Sequence, residues 1–243
     1  MKRKSKGDDL TVILPTINEE GNIALLIRKI FKIFPQSHII VIDDNSTDNT
    51  QKIVNRLTNI HPKLQLVIRR AKPCLTKSIN TGIRLCHSTY VAWMDADLSH
   101  PPEILLKLYD TARISGCAIG SRFKNKFAIK SMYQNDTIIA SFLSFILNIF
   151  IYLFLKINVR DYTSGFIVCR RSLLKSHNLV GDYGEYFIEL VYYLSKLNVN
   201  IVEVYYKSPQ RKYGYSKTGR NIFKLIYRGT KYIIMVIRLS LAN

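Results

Sequence analysis

TYVAWMDADLSHPPE, residues 89–103, is the stretch on which the architecture turns. Residues 89–97 are an apolar run ending in two carboxylates, Asp95 and Asp97, and read as a buried strand with its acids at the C-terminal end. Pro101-Pro102-Glu103 then opens a helix, because proline is tolerated in a first turn and an acid suits the positive end of the helix dipole. The same strand–helix unit recurs upstream. LTVILP (10–15) is a short apolar run closed by proline, and helical spacing follows through Ile23, Leu26, Ile27, Ile30 and Phe31 from a start at Asn18 or Glu19. HIIVID (38–43) precedes a cap-rich Asn45–Thr50 segment and a helix over 49–58, and LQLVIR (64–69) precedes a helix over 75–86. Downstream, CAIGSR (117–122) reads as a fifth strand.

Alternating strands and helices predict an α/β domain with a mainly parallel sheet and helices on both faces. Ligands of such sheets bind beyond the carboxyl ends of the strands. Pro15–Glu19, Asp43–Asp48, Asp95–Asp97 and Gly120–Arg122 all fall at such ends, so four polar loops are expected to converge on one crevice.

The chain has 243 residues, enough for one sizeable domain, and 47% of them are hydrophobic. Lys and Arg outnumber Asp and Glu by 36 to 17, a formal charge of +19 that attracts polyanions: nucleic acid, phosphorylated substrates or anionic lipid. Cys74, Cys86, Cys117 and Cys169 show no metal spacing and read as reduced thiols. The basic start MKRKSKGDD is followed by no long apolar segment, so it does not read as a signal peptide, and the domain is expected to face the cytosol.

The second half differs. Ile138–Leu155 is an 18-residue stretch without a charged side chain. As a helix it would be roughly 27 Å long, close to the ~30 Å hydrocarbon core of a bilayer. Ser141, Ser144 and Asn148 form a polar stripe along it, which fits a helix lying at a membrane surface with the stripe toward the protein; a buried core helix is the alternative. Residues 221–243 mix Ile222, Phe223, Leu225, Ile226, Ile233, Ile234 and Val236 with Lys224, Arg228, Lys231 and Arg238, the pattern of a basic amphipathic helix at a membrane or a partner. The expected division is a basic tail (1–9), a main domain (10–220) that includes the apolar helix, and this C-terminal helix.

Two carboxylates one residue apart repel unless a cation lies between them, and hard divalent ions such as Mg²⁺ or Mn²⁺ favour such oxygen ligands together with phosphate and water. An isolated D-x-D triplet is weak evidence. The context is stronger: VILPTINEEGNI (12–23), VIDDNSTDNT (41–50), MDADLSHPPE (94–103), IGSR (119–122), RDYTSGF (160–166) and RKYGYSK (211–217) together resemble the dolichol-phosphate mannosyltransferases, which are family-2 glycosyltransferases of the GT-A fold. The likeness extends over roughly residues 10–220 with the motifs in order.

That resemblance implies a Rossmann-like GT-A domain and a metal-dependent enzyme that transfers a sugar, mannose from GDP-mannose first among them, to a polyprenyl (dolichyl) phosphate at the cytosolic membrane face. It assigns the nucleotide-sugar to Pro15, Ile17, Glu19, Ile42, Asp44 and the Asp95-Ala96-Asp97 triplet, and the metal to Asp95 and Asp97 with Ser99 as a weaker third ligand. Arg122 would face a phosphate near the reacting centre, with Ser144 and Asn148 on the acceptor side. Arg211 and Lys217 would lie on a loop closing over the donor diphosphate, where cations stabilise the leaving group. Asp97, Arg122 and Arg211 are thus the expected catalytic residues.

Three positions depart from the family. Ile17 stands where an aromatic residue is common, Cys74-Leu75-Thr76 replaces Gly-Leu-Gly, and Ala140 replaces an arginine, leaving Lys126 or Lys130 as substitutes. A polyprenyl monophosphate is largely ionised at neutral pH, its second pKa being about 6, so its oxygen can attack the anomeric carbon without a general base and invert it. Asp95 or Asp97 as a base is the alternative. Expected partners are the nucleotide-sugar, the lipid phosphate and the membrane surface, with a small membrane subunit as a further candidate; nucleic acid is not expected. The rival readings are another family-2 transferase using UDP-glucose or another UDP-sugar, a basic nucleic-acid-binding protein, and a relative that keeps the fold without activity.

Overall fold

The computed structural model describes residues 7–124, 138–207, 209 and 222–242, with the side chains of 138–142 and 222–226 outside that description. The elements run β1 (Leu10–Thr16), α1 (Ile23–Ile33), β2 (His38–Asp43), α2 (Thr50–Thr58), β3 (Leu64–Ile68), α3 (Leu75–Leu85), β4 (Tyr90–Trp93), α4 (Pro102–Ser115) and β5 (Gly116–Ser121). They continue with α5 (Ile138–Leu155), β6 (Ile167–Arg170), α6 (Glu185–Lys196), β7 (Asn200–Tyr205) and α7 (Ile222–Leu241). The seven strands form one sheet in the order β3-β2-β1-β4-β6-β5-β7.

The two-residue period of each strand divides the core into two layers. Leu10, Val12 and Leu14 of β1 point to one face, where Ile23, Leu26, Ile27 and Ile30 of α1, Val54 of α2 and Leu105 and Leu108 of α4 cover them. Ile13 points to the other, under Ile79 of α3 and the layer that also holds Ile151 of α5, Phe187 and Leu190 of α6, and Met235, Val236 and Leu239 of α7. Gly82 is what lets α3 lie close on β1, since a Cβ there would sit 2.5 Å from a methyl of Ile13. Gly116 ends α4 in the left-handed region at φ 88° and turns the chain directly into β5.

The sheet is parallel except for β6, which runs antiparallel between β4 and β5. CAIGSR is therefore a strand as expected, but not the neighbour of the fourth. The short run Ile167–Arg170, which carries no helical or alternating signature, intervenes. Its direction has a functional consequence. Ile167 is paired with Trp93 and Ile119, so the segment entering β6, residues 160–166, arrives at the C-terminal ends of β4 and β5. The parallel pair β5–β7 brings Tyr205 beside Ser121 at the same edge.

Two boundaries shift by more than a single residue from the sequence reading. The fourth strand ends at Trp93 rather than running to residue 97, because the backbone turns there and Leu98 takes φ 66°. The first helix begins at Ile23, since Asn18 sits at φ 51° and the chain turns before the Ile23 N–H reaches the Glu19 carbonyl at 2.9 Å.

Candidate active site

The sheet order reverses at β1, with β2 on one side and β4 on the other, and such a switch point opens a crevice at the strand ends. The first two loops rimming it are laced together by side chains. The Asn18 N–H donates to Ser46 Oγ (2.8 Å), Asn18 Oδ1 accepts from the Thr47 N–H (2.8 Å), and the Glu19 N–H donates to Thr50 Oγ1 (2.8 Å). Fully buried Asp43 accepts from the Ser46 N–H (2.8 Å), Ser46 Oγ (2.5 Å) and Gln51 Nε2 (2.7 Å). Asn18 and Asn45 both adopt positive φ, a conformation asparagine tolerates better than most residues.

Among the residues assigned to the nucleotide, Pro15 and Ile17 are half-buried at the end of β1, and Glu19 is half-buried with Oε2 accepting from Asn22 Nδ2 at 2.9 Å. Ile42 is different: its side chain is fully buried in the second core layer, so it frames the crevice from below. Asp44 is committed within the protein. Its carboxylate pairs with Arg69 and accepts the Cys74 N–H at 2.9 Å, and Arg69 also donates to Ser78 Oγ at 3.0 Å. Cys74-Leu75-Thr76 needs no glycine torsions, because Cys74 is extended at φ −158° and helix α3 starts directly after it. Thr76 Oγ1 is buried without a hydrogen-bond partner among the described residues.

The carboxylate turn separates its two acids. Asp95 is exposed, whereas Asp97 is 3% exposed and its Oδ1 accepts the Ser99 N–H at 2.9 Å. Ala96 between them is buried in the first core layer, and Ser99 is half-buried. Among the described residues no group of three or more His, Cys, Asp or Glu side chains gathers as a metal cluster. The donor set of the turn, two carboxylates and a hydroxyl, suits a hard cation that completes its shell with diphosphate oxygens and water.

Arg122 leaves β5 at the same edge and meets Asp161. Its backbone N–H (2.9 Å) and Nε (2.8 Å) donate to Asp161 Oδ2, while Nη2 donates to Oδ1 (2.8 Å) and to Thr163 Oγ1 (2.8 Å). Asp161 is fully buried, which by itself raises a carboxyl pKa; the Arg122 charge and hydrogen bonds outweigh that and hold it below the ordinary range. Arg160 is anchored alongside by Glu203 at 2.9 Å. Burial pushes the hydroxyls of Tyr186 and Tyr206 well up, and the charge of Asp95 reinforces both shifts. Arg122 acts on Tyr206 in the opposite sense, so this ring lies in the field of both the carboxylate turn and the ion pair.

The family resemblance implies that Ser144 and Asn148 lie on the acceptor side. Ser144 is half-buried. Asn148 is buried and used internally: Nδ2 donates to the Ser144 carbonyl (2.8 Å) and Oδ1 accepts the Tyr162 N–H (2.8 Å), which ties α5 to the 160–166 segment. Arg211, Lys217, Lys126 and Lys130 lie outside the described residues. Not legible in the sequence are the bonds from Arg122 to Asp161 and the burial of His100, whose Nδ1 accepts the Asp95 N–H at 3.0 Å; for the latter, its place three residues after Asp97 is the available signal.

Helices α5 and α7 pack on each other, and Asn148 ties α5 to the 160–166 segment at this edge. Each buries one side and exposes apolar groups on the other: Leu143, Ile146, Leu153 and Phe154 on α5, and Ile233, Ile234, Ile237 and Leu241 on α7. Two cations of α7 are engaged by the segment before α6. Lys231 pairs with Asp182, and Arg228 lies 4.5 Å above the Tyr183 ring. Among the described residues no helix is long and apolar enough to cross a membrane.

The chain is similar to several known proteins. A polyprenol monophosphomannose synthase of Mycolicibacterium smegmatis is 30% identical over 227 residues, covering 89% of this chain and 84% of its own length. A dolichol-phosphate mannosyltransferase of Pyrococcus furiosus is 27% identical over 231 residues, 92% of this chain and 64% of that protein. Among solved structures, glucosyl-3-phosphoglycerate synthase from Mycobacterium tuberculosis superimposes with a TM-score of 0.69 at 16% identity, covering 95% of this chain and 79% of its own, a likeness of fold alone. Residues 11–177 match the family described as glycosyl transferase family 2. A mostly parallel GT-A sheet, a carboxylate turn at its switch point and these relatives lead to one conclusion: the chain belongs to glycosyl transferase family 2 and is a glycosyltransferase.

Proposed function

We propose that the protein transfers a hexose, mannose from GDP-mannose in the first instance, to a polyprenyl phosphate at the cytosolic membrane face, inverting the anomeric centre. The observation that carries this reading is the shared edge of the sheet. The Asp95–Asp97 turn and the Arg122–Asp161–Thr163 cluster stand together there, and Asn148 ties to the same 160–166 segment the α5–α7 pair that exposes apolar side chains. A soluble acceptor would give no reason for two adjacent helices to present isoleucine, leucine and phenylalanine to solvent. The names of the relatives support both the sugar and the lipid phosphate.

Asp95 and Asp97, with Ser99, would hold Mg²⁺ or Mn²⁺. Bound there, such an ion neutralises charge that develops on a departing diphosphate. The loops at Pro15–Glu19 and Asp43–Asp48 orient the nucleotide, pre-organised by their mutual hydrogen bonds. Asp161 keeps the Arg122 guanidinium in one pose from which its charge acts on the acceptor phosphate. The phosphate is its own nucleophile, so no side chain is required to remove a proton. Arg211 and Lys217, carried over from the family motif, are assigned to the donor diphosphate.

The test is sugar transfer to a short polyprenyl phosphate with Mg²⁺ or Mn²⁺, screened over GDP-mannose, UDP-glucose and UDP-GlcNAc. Transfer from GDP-mannose is the expected result. Transfer from UDP-glucose alone would establish the rival donor, and no transfer from any donor would overturn the reading.

A further inference from the structure

We infer that His100 is the positioning residue of the carboxylate turn: its Nδ1 accepts the Asp95 N–H and so fixes the backbone that presents Asp95 and Asp97 to a divalent ion. The inference rests on the metal reading of that turn and adds to it the part that holds the turn in shape.

The turn needs holding. Leu98 has φ 66°, in the left-handed region, where a Cβ crowds the backbone and costs on the order of 1–2 kcal/mol. Two bonds clamp the strained segment. From within, Asp97 Oδ1 accepts the Ser99 N–H at 2.9 Å; from beyond it, His100 Nδ1 accepts the Asp95 N–H at 3.0 Å. An amide can only donate, so Nδ1 presents its lone pair and the ring proton resides on Nε2.

The imidazole is itself immobilised. It is 4% exposed, stacks on Phe166 with centroids 4.7 Å apart and planes 10° apart, and meets Tyr206 edge-on at 5.9 Å. Phe166 ends the segment that carries Asp161, and Tyr206 immediately follows β7. One ring therefore ties the carboxylate turn to the two chain segments that flank the Arg122–Asp161 pair. Partners that orient metal ligands commonly change metal affinity by about 10–100-fold when removed.

H100F and H100N in the full chain separate bracing from plain packing. Phenylalanine keeps the ring stack but has no acceptor, whereas asparagine can place Oδ1 near the position of Nδ1. Mn²⁺ binding is followed by the electron paramagnetic resonance of the free ion, with GDP and UDP in separate arms, alongside thermal unfolding. The expected result is that H100F remains folded and binds Mn²⁺ about tenfold or more weakly, and that H100N binds within about threefold of wild type. Equal affinity of H100F and wild type would overturn the inference while leaving the metal site standing. Absence of Mn²⁺ binding by wild type, indistinguishable from D97N, would overturn the metal reading and the inference together. Should H100F not fold, H100Q replaces it, because its longer side chain displaces the acceptor; equal binding by H100N and H100Q would then refute the role.

Discussion

Arg122 and Asp161, 39 residues apart in sequence, are joined by three hydrogen bonds of 2.8–2.9 Å in which a fully buried carboxylate takes both the backbone and the guanidinium of the arginine. The pair spans the end of β5 and the entry to β6, two chain ends that only the antiparallel insertion of β6 brings together. A guanidinium fastened along one edge is a directed charge.

Removing the carboxylate takes three hydrogen bonds away from Arg122. Asp161→Ala is expected to cost about 3 kcal/mol, the low end for breaking a buried pair because the Arg122 side chain is partly solvated. Thermal unfolding should fall by roughly 6–12 °C. A shift below about 2 °C would show that the pair contributes little.

The same group governs acid sensitivity. The folded-state pKa of Asp161 lies below the ordinary aspartate value of 3.8, so its contribution to stability is fully present above that value and is lost as pH falls through the lower folded pKa. Wild type should therefore lose stability more steeply than Asp161→Asn on acidification below about pH 4. Denaturant midpoints measured between neutrality and about pH 3 test this, and parallel profiles would contradict it.

Asp97→Asn keeps an oxygen to accept the Ser99 N–H, so the turn survives while one negative charge is lost. Turnover is expected to fall by on the order of 10²–10³ or more with unfolding temperature nearly unchanged. Near-normal activity would sink the assignment of a metal to this turn.

Asn148→Leu should destabilise by about 1–3 kcal/mol, because the buried Tyr162 N–H loses its acceptor. If Asn148 instead served an acceptor phosphate directly, KM for the lipid phosphate would rise with stability unchanged. Calorimetry together with acceptor kinetics distinguishes the two.

Ile234 and Ile237 are 63% and 44% exposed on α7. Replacing both with Asp is expected to lower co-sedimentation with anionic vesicles at least about tenfold, since about 1.4 kcal/mol of lost apolar burial suffices for that. Activity on a water-soluble short-chain acceptor should be retained. Undiminished vesicle binding would remove α7 from the membrane contact.

Much of this is legible in residue order. The apolar runs at 10–15 and 38–43 form β1 and β2 because a strand covered on both faces selects near-continuous apolar residues, whereas 64–69, with Gln65 and Ile68 exposed, forms the edge strand β3. Residue order alone assigns the Asp95–Asp97 pair to a strand end, since Pro101-Pro102 forces a break and a new helix start. Family motifs add the identity of the chemistry. The interposed β6 is not legible: four residues, Ile-Val-Cys-Arg, carry no period that tells strand from loop, and their pairing lies far away in sequence.

Side-chain partners are equally beyond reach. The family motifs assign Arg122, Asp44 and Asn148 to ligands, and nothing in the sequence tells that each also has a partner within the protein. His100, which no ligand spacing in the sequence marks, is a buried brace. Local patterns thus determine which segments become strands and helices and which strand ends carry polar groups, because those depend on periodicity and propensity along the chain. Which polar groups face one another is decided only by the tertiary structure, because a hydrogen bond is set by a few tenths of an ångström between segments whose spacing in sequence says nothing about their distance in space.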